Sequence, residues 1–139
     1  MNNKDIVMIF KENRIRITPQ RIGIYEILVD GRKHLTAEEI YEKITDKFPA
    51  LSLATVYSVL GILRERGLVR EIRIRFDKSY FDARIEPHHH FLCKRCGEVF
   101  DVDIPMCSTL KDKELDGNII EEFQGYFYGV CKNCRGDLK

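Results

Sequence analysis

Cys93-Lys94-Arg95-Cys96 and Cys131-Lys132-Asn133-Cys134 constrain this chain more than any other feature. Each C-x-x-C turn presents two thiolates to one ion, and two such turns complete a closed tetrahedral zinc shell. The stretch between them, Gly97 to Val130, is 34 residues long, beyond the roughly 15–20 of a simple zinc ribbon. It has room for a strand at 99–103, a helix after Pro105 and two strands near 119–123 and 126–130. Zinc on Cys93, Cys96, Cys131 and Cys134 would then staple the two ends of a small α/β unit. Two redox-active dithiols are the rival reading, disfavoured because they compete poorly as independent catalysts in so small a domain. Cys107 stands outside both pairs and reads as a free thiol.

His88-His89-His90 lies just ahead of the first cysteine pair. Alternate side chains of a strand share a face, so His88 and His90 can address one ion while His89 points away. With Asp82 and Asp101 close in sequence, the donors form a mixed nitrogen and oxygen set suited to iron(II), manganese(II) or zinc. A histidine triplet alone also reads as a polar surface patch; the adjoining cysteine motif favours ligation. His34, isolated before Thr36, reads by itself as a surface or capping residue.

The first half of the chain is patterned for helices. Ile6, Met8, Ile9 and Phe10 have helical spacing over residues 4–13. Thr18-Pro19 supplies an N-cap and a proline at the first helical position, where its missing N–H costs nothing. Ile22, Tyr25, Ile27 and Leu28 follow, and Gly31 is a stop. Thr36-Ala37-Glu38-Glu39 is a capping box for a helix carrying Ile40, Tyr41 and Ile44 and ending at Phe48-Pro49. Ser52 caps a fourth helix with Leu53, Val56, Leu60 and Leu63 on one stripe and Gly67 at its end. Its other side carries Ala54, Thr55, Ser58, Gly61 and Arg64, with Tyr57 beside them. Short hydroxylated side chains let a helix approach a duplex closely and bond phosphates or base edges; an ordinary solvated face is the plainer alternative.

Residues 68–76 then alternate, with Val69, Glu71, Arg73 and Arg75 on one side and Arg70, Ile72, Ile74 and Phe76 on the other. A turn at Asp77-Lys78-Ser79 leads into Tyr80-Phe81-Asp82. Helices followed by a basic-tipped hairpin make a winged helix-turn-helix, with residues 52–66 as recognition helix and 68–82 as wing. Arg73, Arg75 and Lys78 can reach flanking phosphates; a protein-docking winged helix is the alternative.

Charge divides along the same line. Residues 1–85 hold 16 Lys/Arg against 12 Asp/Glu, and residues 86–139 hold 7 against 10. A mildly basic module therefore precedes an acidic, metal-rich one, which is weak evidence for nucleic acid by itself. The longest uncharged run, residues 48–63, is 16 residues and contains a proline and several hydroxyls, so no membrane partner is expected. The opening residues lack the pattern of a signal peptide, and a cytoplasmic, reducing location is expected, where paired cysteines more often hold metal than form disulfides.

Taken together, Arg16-Ile17-Thr18-Pro19-Gln20-Arg21, His34 before Thr36-Ala37-Glu38-Glu39-Ile40-Tyr41, Ala54-Thr55-Val56-Tyr57, residues 88–97 and the Cys131/Cys134 pair resemble the ferric uptake regulator family of metal-dependent repressors. The resemblance covers nearly the whole chain. It implies an α+β fold, with a winged-helix DNA-binding domain at 1–83, a hinge at 84–87 and a small α/β dimerisation domain at 88–139. It implies a homodimer on double-stranded operator DNA, structural Zn2+ on the four paired cysteines, and a regulatory Fe2+ or Mn2+ on His34, Asp82, His88, His90 and Asp101. The DNA-facing set is Arg16, Ser52, Thr55, Tyr57, Ser58, Arg64 and Arg73.

Asp82 and Asp101, where many iron-sensing members carry Glu, resemble the peroxide-sensing branch, in which His34 and His88 are the oxidation-sensitive ligands. Pro87 stands where a His is common, and no His follows His90, so the auxiliary site of iron-sensing members is not expected. Ser58 departs from the Asn of the peroxide-sensing branch. The neighbouring alternative is an iron- or manganese-uptake repressor that senses metal level only. Two readings from other classes are a non-haem iron or hydrolytic enzyme on His88, His90 and Asp82, and a zinc-held interaction module. Five protein ligands leave an enzyme little room for substrate, and no nucleophile or general base stands beside them.

Overall fold

The structure, a computed structural model of the chain, describes residues 1–31, 34–86, 88–105 and 114–138. The expected helix after Pro105, the thiol of Cys107 and Pro87 lie outside the described residues. The chain divides into two compact units, Met1–Ile85 and Glu86–Lys139.

The first unit contains α1 (Asn3–Glu12), α2 (Pro19–Asp30), α3 (Ala37–Thr45), α4 (Leu53–Glu65), β1 (Arg70–Ile72) and β2 (Tyr80–Asp82). Its helices begin where side chains satisfy the orphan N–H groups of the first turn. Thr18 Oγ1 accepts from Arg21 N at 3.2 Å with Pro19 opening α2. Thr36 and Glu39 close a reciprocal capping box at 3.2 and 3.0 Å, and Ser52 Oγ accepts from Thr55 N at 3.1 Å. The buried stripes then meet in one core: Ile6 and Phe10 of α1, Ile24 and Leu28 of α2, Ile40 and Ile44 of α3, Val56, Leu60 and Leu63 of α4. Met8, counted with the apolar positions of α1, is exposed, because it lies on the side of the helix away from Ile6 and Phe10.

β1 and β2 pair antiparallel, Arg70 opposite Asp82, Glu71 opposite Phe81 and Ile72 opposite Tyr80. Phe81 also pairs with Leu35 ahead of α3, its N–H donating to Leu35 O at 2.7 Å. The strand expected over 68–76 is shorter than its alternation suggests. β2 offers three residues to pair, so the ladder ends at Ile72 and residues 73–79 form the tip of the wing. Ile74 still turns inward, whereas Phe76, expected on the apolar side, is fully exposed.

The second unit holds β3 (His89–Cys93), β4 (Val99–Val102), β5 (Glu114–Leu115), β6 (Asn118–Ile119), β7 (Tyr126–Gly129) and a 3-10 turn at Cys134–Leu138. Among the described residues its main sheet has the order β4-β3-β7, antiparallel on one side of β3 and parallel on the other. A parallel neighbour needs a crossover of a dozen or more residues, which the long separation of the two cysteine pairs supplies. β5 and β6 form a hairpin that the expected helix and strands of this stretch do not include. Its turn is Asp116-Gly117 with φ of 51° and 83°, the left-handed pair that a two-residue hairpin requires and that Asp-Gly adopts readily. The strand expected over 119–123 is confined to Asn118–Ile119. Phe123 instead packs edge-on against His89, ring centroids 5.6 Å apart.

Candidate metal centres and nucleic-acid interface

The four paired cysteines converge, their sulfurs all within 4.8 Å of one another. Cys96 Sγ and Cys131 Sγ are 3.9 Å apart. A tetrahedral zinc with Zn–S of about 2.3 Å sets its sulfurs about 3.8 Å apart, whereas a disulfide is about 2.05 Å long. The spacing therefore fits four thiolates around one zinc. The turns are shaped by backbone bonds: Gly97 N donates to Cys93 O and Arg135 N to Cys131 O, both at 2.9 Å. Cys131 N also donates to Cys93 Sγ at 3.3 Å. Backbone donors of Cys96 and Cys131 hold the Cys93 thiol down at about 6. The adjoining Cys131 thiol, then burial, push Cys134 up to about 12. One thiolate is thus ready at neutral pH, and a second is opposed by its sulfur neighbours. A dication removes that opposition, which is the electrostatic reason the set suits zinc.

The histidine and aspartate donors fall in both units. In the first, His34 Nε2 lies 3.5 Å from Asp82 Oδ2. Asp82 ends β2, and its other oxygen accepts from Arg84 N at 2.9 Å, which orients the carboxylate. In the second, Asp101 Oδ1 lies 3.2 Å from His88 Nε2 and 3.6 Å from His90 Nε2. His90 and Asp101 sit opposite each other in the β3–β4 register. His88 Nδ1 faces Glu86 O at 2.7 Å. With its Nδ1 proton donated to that carbonyl, the ring keeps the Nε2 lone pair for an ion. These donors fit a regulatory iron(II) or manganese(II).

His89, expected to point away, does so by burial. Its ring packs edge-on against Phe123 and Phe127, and its Nδ1 has no hydrogen-bond partner among the described residues. Gly125 passes so close that an added Cβ would lie 2.2 Å from that nitrogen.

The residues expected to face DNA are exposed on the first unit: Arg16 ahead of α2, Ser52 at the N-cap of α4, Thr55, Tyr57, Ser58 and Arg64 on α4, and Arg73 on the wing. Thr55 and Ser58 line a groove of about 530 Å³ with Thr18, Gln20, Arg21 and Lys47. Two carboxylates arrange this face and were missed in the sequence. Glu38 accepts from the Tyr57 hydroxyl at 2.7 Å. Glu71 accepts from Arg64 and, at 3.1 Å, from Arg73. Burial pushes the Glu71 carboxyl up, but the hydrogen bonds from Arg73, Ser79 and Arg64 outweigh it and hold it below its ordinary value. The Glu71–Arg73 link had a signal, since residues two apart share a strand face. The Glu86 carbonyl had none, because a backbone group carries no sequence signature.

The sequence profile of the Ferric uptake regulator family matches residues 12–122. A peroxide operon regulator of Bacillus subtilis is 37% identical over 133 residues, covering 94% of this chain and 92% of the regulator. The Campylobacter jejuni peroxide stress regulator superposes with a TM-score of 0.66 at 29% identity, covering 94% of this chain and 97% of that one. The Helicobacter pylori ferric uptake regulator Fur superposes with a TM-score of 0.76 over 97% of this chain and 95% of its own, at 22% identity, a likeness that speaks for the fold. With four sulfurs at zinc spacing, histidine–aspartate donors in both units and a profile match over most of its length, the chain belongs to the ferric uptake regulator family.

Proposed function

We propose that this chain is a dimeric, metal-dependent repressor of transcription that leaves its operator DNA when hydrogen peroxide oxidises its regulatory site. The observation that carries the reading is the Asp101 carboxylate lying against both His88 and His90 while Glu86 O fixes the His88 tautomer. That set is preorganised for a divalent ion. His34 and Asp82 supply a second oriented pair. In this reading the five side chains serve one ion, and the DNA-binding unit and the metal-rich unit are held in one orientation across residues 84–87.

A fixed orientation matters because a symmetric dimer must place two recognition helices about 34–36 Å apart, or a multiple of it. A hinge free to sample other orientations weakens binding by the fraction that is competent. Metal and operator then favour the same conformer, a coupling typically worth about 1–3 kcal/mol, or roughly 5- to 150-fold. Exposed Leu115, Ile119, Phe127 and Tyr128 on the second unit support its role in dimerisation. The exposed α4 face, with Ser52, Thr55, Tyr57, Ser58 and Arg64, and Arg16 and Arg73 beside it, supports the duplex as partner. No helix among the described residues is long and apolar enough to cross a membrane.

Bound iron(II) would promote cleavage of the peroxide O–O bond, which manganese(II) does not; the ring supplies both electrons, its C–H becoming C–OH with one peroxide oxygen while the other leaves as water. His34 and His88 are the rings exposed to that chemistry, and one oxygen atom added to either withdraws a ligand. The test is a gel shift on a palindromic AT-rich duplex with manganese, iron or chelator, before and after peroxide. Metal should strengthen binding, and Asp82→Ala and His90→Ala should lose that gain. Peroxide should release only the iron-loaded protein, with +16 on a peptide containing His34 or His88. An Asp82→Ala or His90→Ala protein that binds as tightly as the manganese-loaded parent, or a parent that binds as tightly in chelator as with manganese, would refute the metal coupling. Metal-loaded binding that ignores peroxide would select the repressor that senses metal level only.

A further inference from the structure

Phe76 occupies the tip of the wing with its side chain 106% exposed, the most exposed large apolar residue among those described. Its surroundings are cationic. Residues 73–79 read Arg-Ile-Arg-Phe-Asp-Lys-Ser, three positive charges against one negative. The tip is also held in shape. Arg75 makes two hydrogen bonds to Asp77, at 2.9 and 2.8 Å. Lys78 lies over the Tyr80 ring, 5.6 Å from its centroid. Ile74, two residues before Phe76, is buried and anchors the loop from below. Glu71 accepts from Arg64 of α4 and from Arg73, so the wing is tied to the expected recognition helix.

We propose that Phe76 is a DNA wedge, inserted into the minor groove beside the site read by α4 and partly unstacking a base step there. The inference rests on the operator-binding reading above. An aromatic side chain on a fixed, cationic hairpin tip suits that occupant for three physical reasons. Lys78, with the guanidinium N–H groups that Arg73 and Arg75 do not direct to Glu71 and Asp77, complements the phosphates on either side of the groove. Apolar wedges of this kind enter minor grooves and separate base steps, at a cost smallest where the duplex is deformable. The wedge loses little conformational freedom, since its loop is already held by the Arg75–Asp77 and Lys78–Tyr80 contacts. Shape readout by the wing adds a sequence preference outside the bases that α4 faces.

The experiment uses the manganese-loaded full chain and AT-rich duplexes selected with it from a randomised library. 2-Aminopurine replaces adenine at successive flanking positions and reports unstacking as a rise in fluorescence. The parent should brighten one flanking position per half-site. Phe76→Ala should abolish that signal and weaken binding about tenfold, in the range found for loss of an aromatic–base stack, while its thermal unfolding stays unchanged. Phe76→Trp should keep both. Tight parental binding with no bright position overturns the wedge and leaves the repressor reading standing. Phe76→Ala binding within twofold of the parent overturns it too, and assigns the exposed ring to a different class of partner. A parent that selects no duplex overturns both the wedge and the reading beneath it.

Discussion

Gly125→Ala is the sharpest test of how the metal-rich unit is packed. The backbone at Gly125 is not in the left-handed region, so alanine meets no left-handed strain there. It meets His89 instead: the new Cβ would lie 2.2 Å from Nδ1, 2.9 Å from Cε1 and 3.1 Å from Cγ. Ordinary carbon contacts are about 3.5 Å or longer, so a gap of about 1.3 Å must open. The ring cannot simply swing away, because it is buried with its faces and edges against Phe123 and Phe127. Forcing a methyl into such packing typically costs about 1–3 kcal/mol. For a protein of this size that lowers Tm by about 3–12 °C.

The displacement also reaches the ligands. Gly125 O accepts from His90 N at 3.0 Å, and Tyr126 pairs with His90 in the β3–β7 register. The assay is a double-mutant cycle by thermal unfolding of Gly125→Ala, His89→Ala and the pair. His89→Ala removes the ring and opens a cavity, yet it should relieve the clash, so the pair should be less destabilised than the sum of the singles by at least about 1 kcal/mol. Manganese affinity should fall in Gly125→Ala and recover in part in the pair. Additive effects, or a Gly125→Ala protein with an unchanged Tm, would refute the packing argument.

Three shorter expectations follow from the charges and the cysteines. Thiolate absorbance near 240 nm of the zinc-free protein should show its first midpoint at about 6, from Cys93; a single midpoint near 9 would contradict the backbone donors assigned to it. Cys131→Ser should lose zinc and the cooperative unfolding of the second unit, while the helical signal of the first unit, which has its own core, persists; intact zinc stoichiometry would show that the four sulfurs are not one site. Glu71 has a folded pKa below its ordinary 4.5, so its contribution is present above that value and lost as pH falls through the folded pKa. Glu71→Gln should therefore cost stability at pH 7 and flatten the acid limb of the stability profile; an unchanged acid limb would show that Arg64 and Arg73 do not hold that carboxylate.

Much of this molecule was determined locally and could be read without its fold. Thr18, Thr36 and Ser52 start helices because a hydroxyl oxygen satisfies an N–H within three residues, and the two C-x-x-C turns carry their spacing in the sequence. His88 and His90 share a strand face through the two-residue repeat of the backbone. What only the tertiary structure decided depends on residues far apart in the chain. Ladder length in the wing was set by β2 and not by the alternation of residues 68–76, which left Phe76 in solvent. Glu71 and Glu38 acquired partners from α4. Gly125 was left no room for a side chain because the residue leading into β7 passes beside the buried ring of His89 on β3. Sequence patterns encode which way a side chain points from its own strand or helix; which neighbour it meets there, and at what distance, is settled by packing.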